Sequence, residues 1–254
     1  MKISFIIASH NDSDSIKATL KSILENTFSG DQIILIDGGS SDTTVESAKS
    51  ILKKFKNTKI ISEPDDGIYD AWNKALKIVN CEWLVFLGCG DLLDKNYRKK
   101  ISAPVNSISN INFISHKAFL YFLKNNENHL IRIIGKPFKK NNFIRQMKVC
   151  HIGAAHHITL FDGISFSTKY RIVSDYHLLI KVSDKIKPAF IDEPLVQVEA
   201  SGISMRSPSV ICEEYRMKQD ISLRPKPILL SQLVWKLWKF YLFYLYDRVS
   251  IYIK

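Results

Sequence analysis

Cysteine is scarce in this chain: 4 in 254 residues, at positions 81, 89, 150 and 212. None forms a CxxC pair, which excludes a zinc ribbon and a dense disulfide framework and points to a reducing compartment. The GxGxxG pattern of dinucleotide sites is missing as well. No stretch supplies the ~18–20 consecutive apolar residues of a membrane span. The apolar run after Lys2 is too short for the core of a signal peptide. Acidic excess is also lacking. Lys and Arg number 36 against 25 Asp and Glu, a formal charge of +11. The balance is uneven: residues 1–100 hold fourteen of each sign, 101–200 thirteen basic against seven acidic, and 201–254 nine against four. The first part is neutral with acidic concentrations, and the basic remainder suits anionic partners such as phosphates or an acidic membrane surface.

What is present is an alternation of strand and helix signals. Residues 3–8, 32–36 and 59–61 read as short buried strands, and the run 83–87 as a fourth. Between them, Ile16, Leu20, Ile23 and Leu24 share one helical face. So do Val45, Ala48, Ile51 and Leu52, and again Ile68, Ala71, Trp72, Ala75 and Leu76. This spacing predicts βαβ units and a parallel sheet. Ligands bind at the carboxyl edge of such a sheet, and the acids gather there. Asp37-Gly38-Gly39-Ser40-Ser41-Asp42 ends one strand, Glu63-Pro64-Asp65-Asp66-Gly67 precedes a helix, and Gly88-Cys89-Gly90-Asp91 ends the fourth strand. Asp37 is placed to accept hydrogen bonds from ribose or base, whereas Asp42 suits a helix cap.

With LIDGGSSDTT, EPDDGIYDAWNKAL and WLVFLGCGD in this order, the chain resembles the family 2 glycosyltransferases. It is most similar to those that assemble O-antigen, capsule and exopolysaccharide repeat units. The resemblance covers residues 1–95 and continues through 149–151, 171–176 and 202–204. It implies the GT-A fold, an α/β Rossmann-like, mostly parallel central sheet flanked by helices. It also implies a nucleotide-diphosphate sugar donor and a glycan or lipid-linked glycan acceptor, with no nucleic-acid partner. Ala8 and Ser9 would touch base or ribose, Asp37 the ribose or base, Asp66 the base or its immediate surroundings, Asp91 the diphosphate, and His151 the diphosphate or the acceptor. Asp175, in Arg171-Ile172-Val173-Ser174-Asp175-Tyr176, is then the base that deprotonates the acceptor hydroxyl in an inverting transfer. Asp162 and Asp184 are weaker candidates.

One departure bears on the metal. The family's DxD carboxylates hold Mg²⁺ or Mn²⁺, but the two DxD positions here are Gly88 and Gly90, leaving Asp91 as the metal ligand. The expected organisation is a GT-A domain over 1–225, with a nucleotide-sugar half (1–95) and an acceptor half (96–225), then a helical extension over 226–254. The aromatic, basic segment 229–253 suits either the membrane interface or a subunit contact in a homo-oligomer. A cytoplasmic location follows, peripheral on the inner face of the membrane if that segment docks there. Two other classes stay open. A nucleotidyltransferase wants a Gly-rich basic loop after the first strand, where Ser9-His10-Asn11-Asp12 stands. A non-catalytic nucleotide-sugar binder or partner subunit would explain Gly88 and Gly90.

Overall fold

A computed structural model describes residues 1–124, 127–200 and 208–252; the Gly202-Ile203-Ser204 motif lies outside the described residues. The chain divides into two units, Met1–Ala200 and Ser201–Lys254.

The first unit is built on nine strands: β1 (Ile3–Ser9), β2 (Gln32–Asp37), β3 (Thr58–Ser62), β4 (Trp83–Gly88), β5 (Leu92–Leu93), β6 (Phe113–Lys124), β7 (Glu127–Ile134), β8 (Ala155–His157) and β9 (Pro188–Glu199). They form one sheet in the order β3-β2-β1-β4-β8-β6-β9-β5, with β7 hairpinned onto β6. The first four are parallel; β8 is antiparallel to both β4 and β6, and β9 runs parallel to β6. Helices α1 (Ile16–Leu24), α2 (Thr44–Leu52), α3 (Ile68–Leu76), α4 (Tyr97–Ser107), α5 (Lys140–Phe143) and α6 (Ser174–Lys181) connect and cover the strands.

Every residue of β1 and β2 is buried, as a central parallel strand with helices on both faces requires. Ile3, Phe5 and Ile7 join Ile16, Leu20 and Ile23 of α1 and Ala48 and Leu52 of α2 in one apolar cluster. On the other face Trp72 of α3 lies 5.0 Å from the Phe86 ring. The chain runs from β1 to β2 and β3 on one side, and β4 then lands on the other side of β1. This reversal opens a crevice at the carboxyl ends of β1 and β4, where Ala8 pairs with Gly88.

The sequence suggests pairs of short strands at 111–115 and 118–123, and at 188–191 and 195–198. Each pair is one twelve-residue strand. Their polar interruptions face each other: register jumps from His116–Ile191 to Lys117–Pro194, so Asp192 and Glu193 bulge outward. Lys117 and Lys100 neutralise them at 2.7 Å each.

At the sheet's amino end, Asp31 accepts from the Ile3 and Phe28 N–H groups at 2.9 and 2.8 Å. It also pairs with Arg98 of α4 at 3.1 Å, both side chains being nearly fully buried. Removing one partner of such a pair strands the other charge. Arg98→Met should therefore destabilise the fold by about 3–5 kcal/mol in urea titration; a loss below about 1 kcal/mol would mean the pair behaves like a surface bridge.

The second unit holds α7 (Ser209–Asp220) and α8 (Lys226–Tyr252). Met217 and Leu229 are buried within it, and Glu214 bonds both Lys218 and Lys236 at 2.6 Å. Among the described residues no helix is long and apolar enough to cross a membrane.

Candidate active site

The rim of the crevice is set by Asp37. Parallel register places Ser9, Asp37 and Ser62 side by side on three strands. The fully buried Asp37 carboxylate accepts from the Ser9 hydroxyl (2.9 Å), the Ser62 hydroxyl (2.7 Å), and the hydroxyl and N–H of Ser40 (2.5 and 2.8 Å). Burial opposes its ionisation, but the bonds from Ser40, Ser62 and Ser9 outweigh that and hold the carboxyl below its usual range. These donors use the carboxylate's full acceptor capacity, so a ribose contact requires one serine hydroxyl to yield. Asp42, as a cap residue should, accepts the N–H groups of Thr44 and Ser13 at 3.0 and 3.1 Å. The turn after β1 is laced to the same loop: the Gly38 N–H donates to the Ser9 carbonyl (2.8 Å) and the Ser41 N–H to Asn11 Oδ1 (2.8 Å).

The acidic turn closes over this loop with Asp65. A Cβ added at Gly38 would meet Asp65 Oδ2 at 2.9 Å, and Asp65 Oδ1 accepts the Gly67 N–H at 2.9 Å. Asp66, the acid expected here, is exposed, and its N–H meets Asp70 at 3.3 Å.

At the end of β4, Asp91 is buried, with Oδ2 accepting the Gly88 N–H at 2.8 Å. Burial, with Glu199 adding to it, pushes its carboxyl up to about 7. The second glycine position is occupied from a distance. Gly90 has φ +91°, and a Cβ there would stand 2.5 Å from Glu199 Oε2. Tyr121 donates to the Gly90 carbonyl (2.7 Å) and the Gly90 N–H donates to Thr19 Oγ1 (3.0 Å), which fixes the turn. The Cys89 thiol between the glycines is pushed up by burial and then by Asp12, Asp91, Asp37 and Asp42.

Asp175 occupies the first turn of α6. Its Oδ1 accepts the Tyr176 N–H at 2.7 Å, and the Tyr69 hydroxyl of α3 shares its proton between that atom (3.1 Å) and the Ile172 carbonyl (2.7 Å). Burial pushes the Cys150 thiol up to about 12, with smaller contributions from Asp91 and Asp175. Asp184 instead pairs with Lys140 at the surface. Asp162 lines a separate cavity with Asp70 and Asn73.

His151, expected beside the diphosphate, lies in the interior at 3% exposure. Its ring stacks on Trp72 and Phe86, with centroids 5.4 and 5.7 Å away, and meets His156 at 4.7 Å. Burial, then the neighbouring imidazole, pushes its pKa well below the usual value, so the ring is a neutral packing group. The pairing of β8 with β4 draws this segment inward. His156 is likewise buried and pushed down to about 4, while His157 caps the following turn by accepting the Thr159 N–H.

The sequence profile of Glycosyl transferase family 2 matches residues 4–162. The chain belongs to this family. A PGL/p-HBAD biosynthesis glycosyltransferase of Mycobacterium tuberculosis is 26% identical over 200 residues, covering 78% of this chain and 75% of that protein. A cholesterol galactosyltransferase of Borreliella burgdorferi is 26% identical over 122 residues, 48% of this chain and 34% of that one. Among solved structures, S. aureus TarS 1-349 in complex with UDP superposes with a TM-score of 0.69 at 16% identity, over 92% of this chain and 70% of that chain. The mannosyltransferase PcManGT from Pyrobaculum calidifontis, in complex with GDP-Man and Mn²⁺, gives 0.60 at 15% identity, over 91% and 69%. The expected GT-A α/β fold is the observed one.

Three residues of this glycosyltransferase's site carried no local signal. Glu199 lies more than a hundred residues from Gly90, Tyr69 reads as a core position on α3, and Asp65 cannot be told from Asp66 by pattern. The Asp91 shift has a measurable consequence. Its native carboxyl binds a proton more tightly than the ordinary value of 3.8 allows. Its stability contribution is therefore complete below about pH 4 and lost as pH rises toward 7. Asp91→Asn, which mimics the protonated form, should match wild type near pH 4. Near pH 8 it should be more stable by on the order of 2–4 kcal/mol. Melting curves of both proteins across that range decide it, and a gap that does not widen with pH contradicts a raised carboxyl.

Proposed function

We propose that this glycosyltransferase moves a hexosyl group, with inversion, from a nucleotide-diphosphate sugar to a hydroxyl of a lipid-linked glycan in bacterial surface polysaccharide (O-antigen or capsule) synthesis. One observation carries this reading: Tyr69 of α3, the helix that follows the acidic turn, donates to Asp175 Oδ1 at 3.1 Å, which ties the candidate base to the element leading from the donor-side rim. The acceptor oxygen attacks the anomeric carbon from the face opposite the nucleotide, and Asp175 takes its proton. The bond from that carbon to the phosphate oxygen breaks, and the nucleoside diphosphate leaves with the electron pair. Tyr69 and the Tyr176 N–H hold the base in place.

Asp91 and Glu199 together fit a hard divalent cation, which prefers oxygen ligands. No set of three His, Cys, Asp or Glu side chains that could hold a metal occurs among the described residues, so donor phosphates and water would complete the shell. When bound, Mg²⁺ or Mn²⁺ would neutralise charge on the departing diphosphate. The presence of Glu199 beside Gly90 also weighs against a non-catalytic binder. Ala8 and Ser9 would border the base and ribose, and Asp37 would order the rim on which they sit. In this reading His151 supports the site through packing.

Docking at the cytoplasmic face of the membrane is the second part of the proposal. Leu230, Val234, Trp235, Trp238, Tyr241 and Leu242 of α8 are each about half exposed, and their spacing of three and four puts them on one side of the helix. No acidic residue occurs between Lys226 and Tyr246, which favours an anionic lipid surface.

Incubation with UDP-, GDP- and TDP-sugars should release nucleoside diphosphate with one donor; pyrophosphate release would indicate a nucleotidyltransferase instead. Asp175→Asn should cut kcat on the order of 10²–10⁴-fold with donor affinity kept, and normal turnover would remove it as the base. Trp235→Ala/Trp238→Ala should reduce co-sedimentation with phosphatidylglycerol vesicles. A changed oligomeric state with vesicle binding intact would assign that face to a subunit contact.

A further inference from the structure

The segment that follows β7 folds over a cavity of about 220 Å³, the volume of roughly seven liquid waters. Lys136, Lys139 and Lys148 line it, together with the side-chain amides of Asn142 and Gln146. No acid lines it. The Lys136 N–H donates to the Lys148 carbonyl at 2.8 Å, which holds the two lysines across the loop from each other. Nearby Lys140 is taken by Asp184. Lys136, Lys139 and Lys148 make no ion pair with any carboxylate of the described residues. Three exposed like charges around one concavity repel one another, and an anion there relieves that repulsion, with the Asn142 and Gln146 amides available as donors.

The cavity adjoins the candidate base through one of its wall residues. Its wall residue Phe143 is anchored by Tyr176, the neighbour of Asp175: the Tyr176 hydroxyl donates to the Phe143 carbonyl at 2.6 Å, and the two rings meet edge to face at 5.1 Å. The donor cradle lies elsewhere, at the carboxyl ends of β1, β2 and β4. The lysine cavity therefore borders the base side of the reaction, where the acceptor approaches.

We propose that Lys136, Lys139 and Lys148 form an acceptor-side anion site that takes a phosphate or diphosphate group of the acceptor. The assignment rests on the transfer reading for its name, but the binding it asserts is measured without any sugar donor. Lysine suits this task because it meets phosphate as a mobile point charge without needing planar geometry.

The test is calorimetry in metal-free buffer with UDP present at saturation, so that the donor side is filled. The probes are inorganic pyrophosphate and farnesyl diphosphate. Both should bind the wild type. The triple change Lys136→Gln/Lys139→Gln/Lys148→Gln should weaken both by at least about tenfold, and the triple Arg replacement should restore binding. UDP affinity, titrated separately, should change by less than about twofold, since these lysines are distant in sequence and element from the rim loops. Undiminished pyrophosphate binding in the Gln protein overturns the proposal. So does an equal loss of UDP affinity, which would move the lysines to the donor site. Displacement of pyrophosphate by phosphatidylglycerol vesicles but not by farnesyl diphosphate overturns the acceptor assignment in favour of a bilayer headgroup. A donor panel that yields no nucleoside diphosphate would sink the transfer reading and leave this binding result standing.

Discussion

A single buried carboxylate holds the sheet's functional edge together. Asp37 joins the ends of β1, β2 and β3 through Ser9, Ser40 and Ser62, at a point where parallel strands have no further ladder partners for their side chains. An ionised group at zero exposure is costly unless it is fully bonded, and here the surrounding hydroxyls and an N–H supply the compensation. The geometry of the rim follows. Gly38 and Gly39 leave no side chain in the way, Asp65 moves into the space over Gly38, and the β1 turn is tied down by Asn11. A flat ligand would then meet backbone rather than side chains along this edge.

The same logic explains the β4 end. Two glycines stand where carboxylates were expected, yet carboxylate density is not lost. Gly90 adopts a positive φ and leaves room that Glu199 enters from the last strand of the sheet. Burial raises the Asp91 carboxyl, and Glu199 adds to that rise. A cation held at this turn would offset both effects by favouring the ionised form.

Much of the first half was legible because its signals are local. Parallel strands buried on both faces appear as unbroken apolar runs, helices between them keep a 3.6 period, and Gly-rich acidic turns mark the strand ends. β1 to β4 and α1 to α3 accordingly fall close to their expected places. The second half resisted for identifiable reasons. Between His116 and Lys117 the register skips Asp192 and Glu193 of β9, so polar residues that look like turns sit inside continuous strands. His151 carries a residue type associated with phosphate contact, but its neighbours Val149, Cys150 and Ala154 are all buried, and an aromatic nest of Trp72, Phe86 and Phe166 receives it. The resemblance made Asp175 a candidate base; only the fold reveals that Tyr69, on the helix after the acidic turn, reaches it.

That Tyr69 contact changes how the two halves are understood. The helix α3 follows directly from the turn whose Asp65 closes on the donor rim, and its second residue holds the candidate base. Its fifth residue, Trp72, packs against β4 and His151. One nine-residue helix, locked by aromatic packing, therefore joins the turn beside the rim loop to the candidate base on α6. Aromatic packing fixes α3 itself, so acceptor-side loops can vary around a carboxylate whose hydrogen-bond partner stays in place.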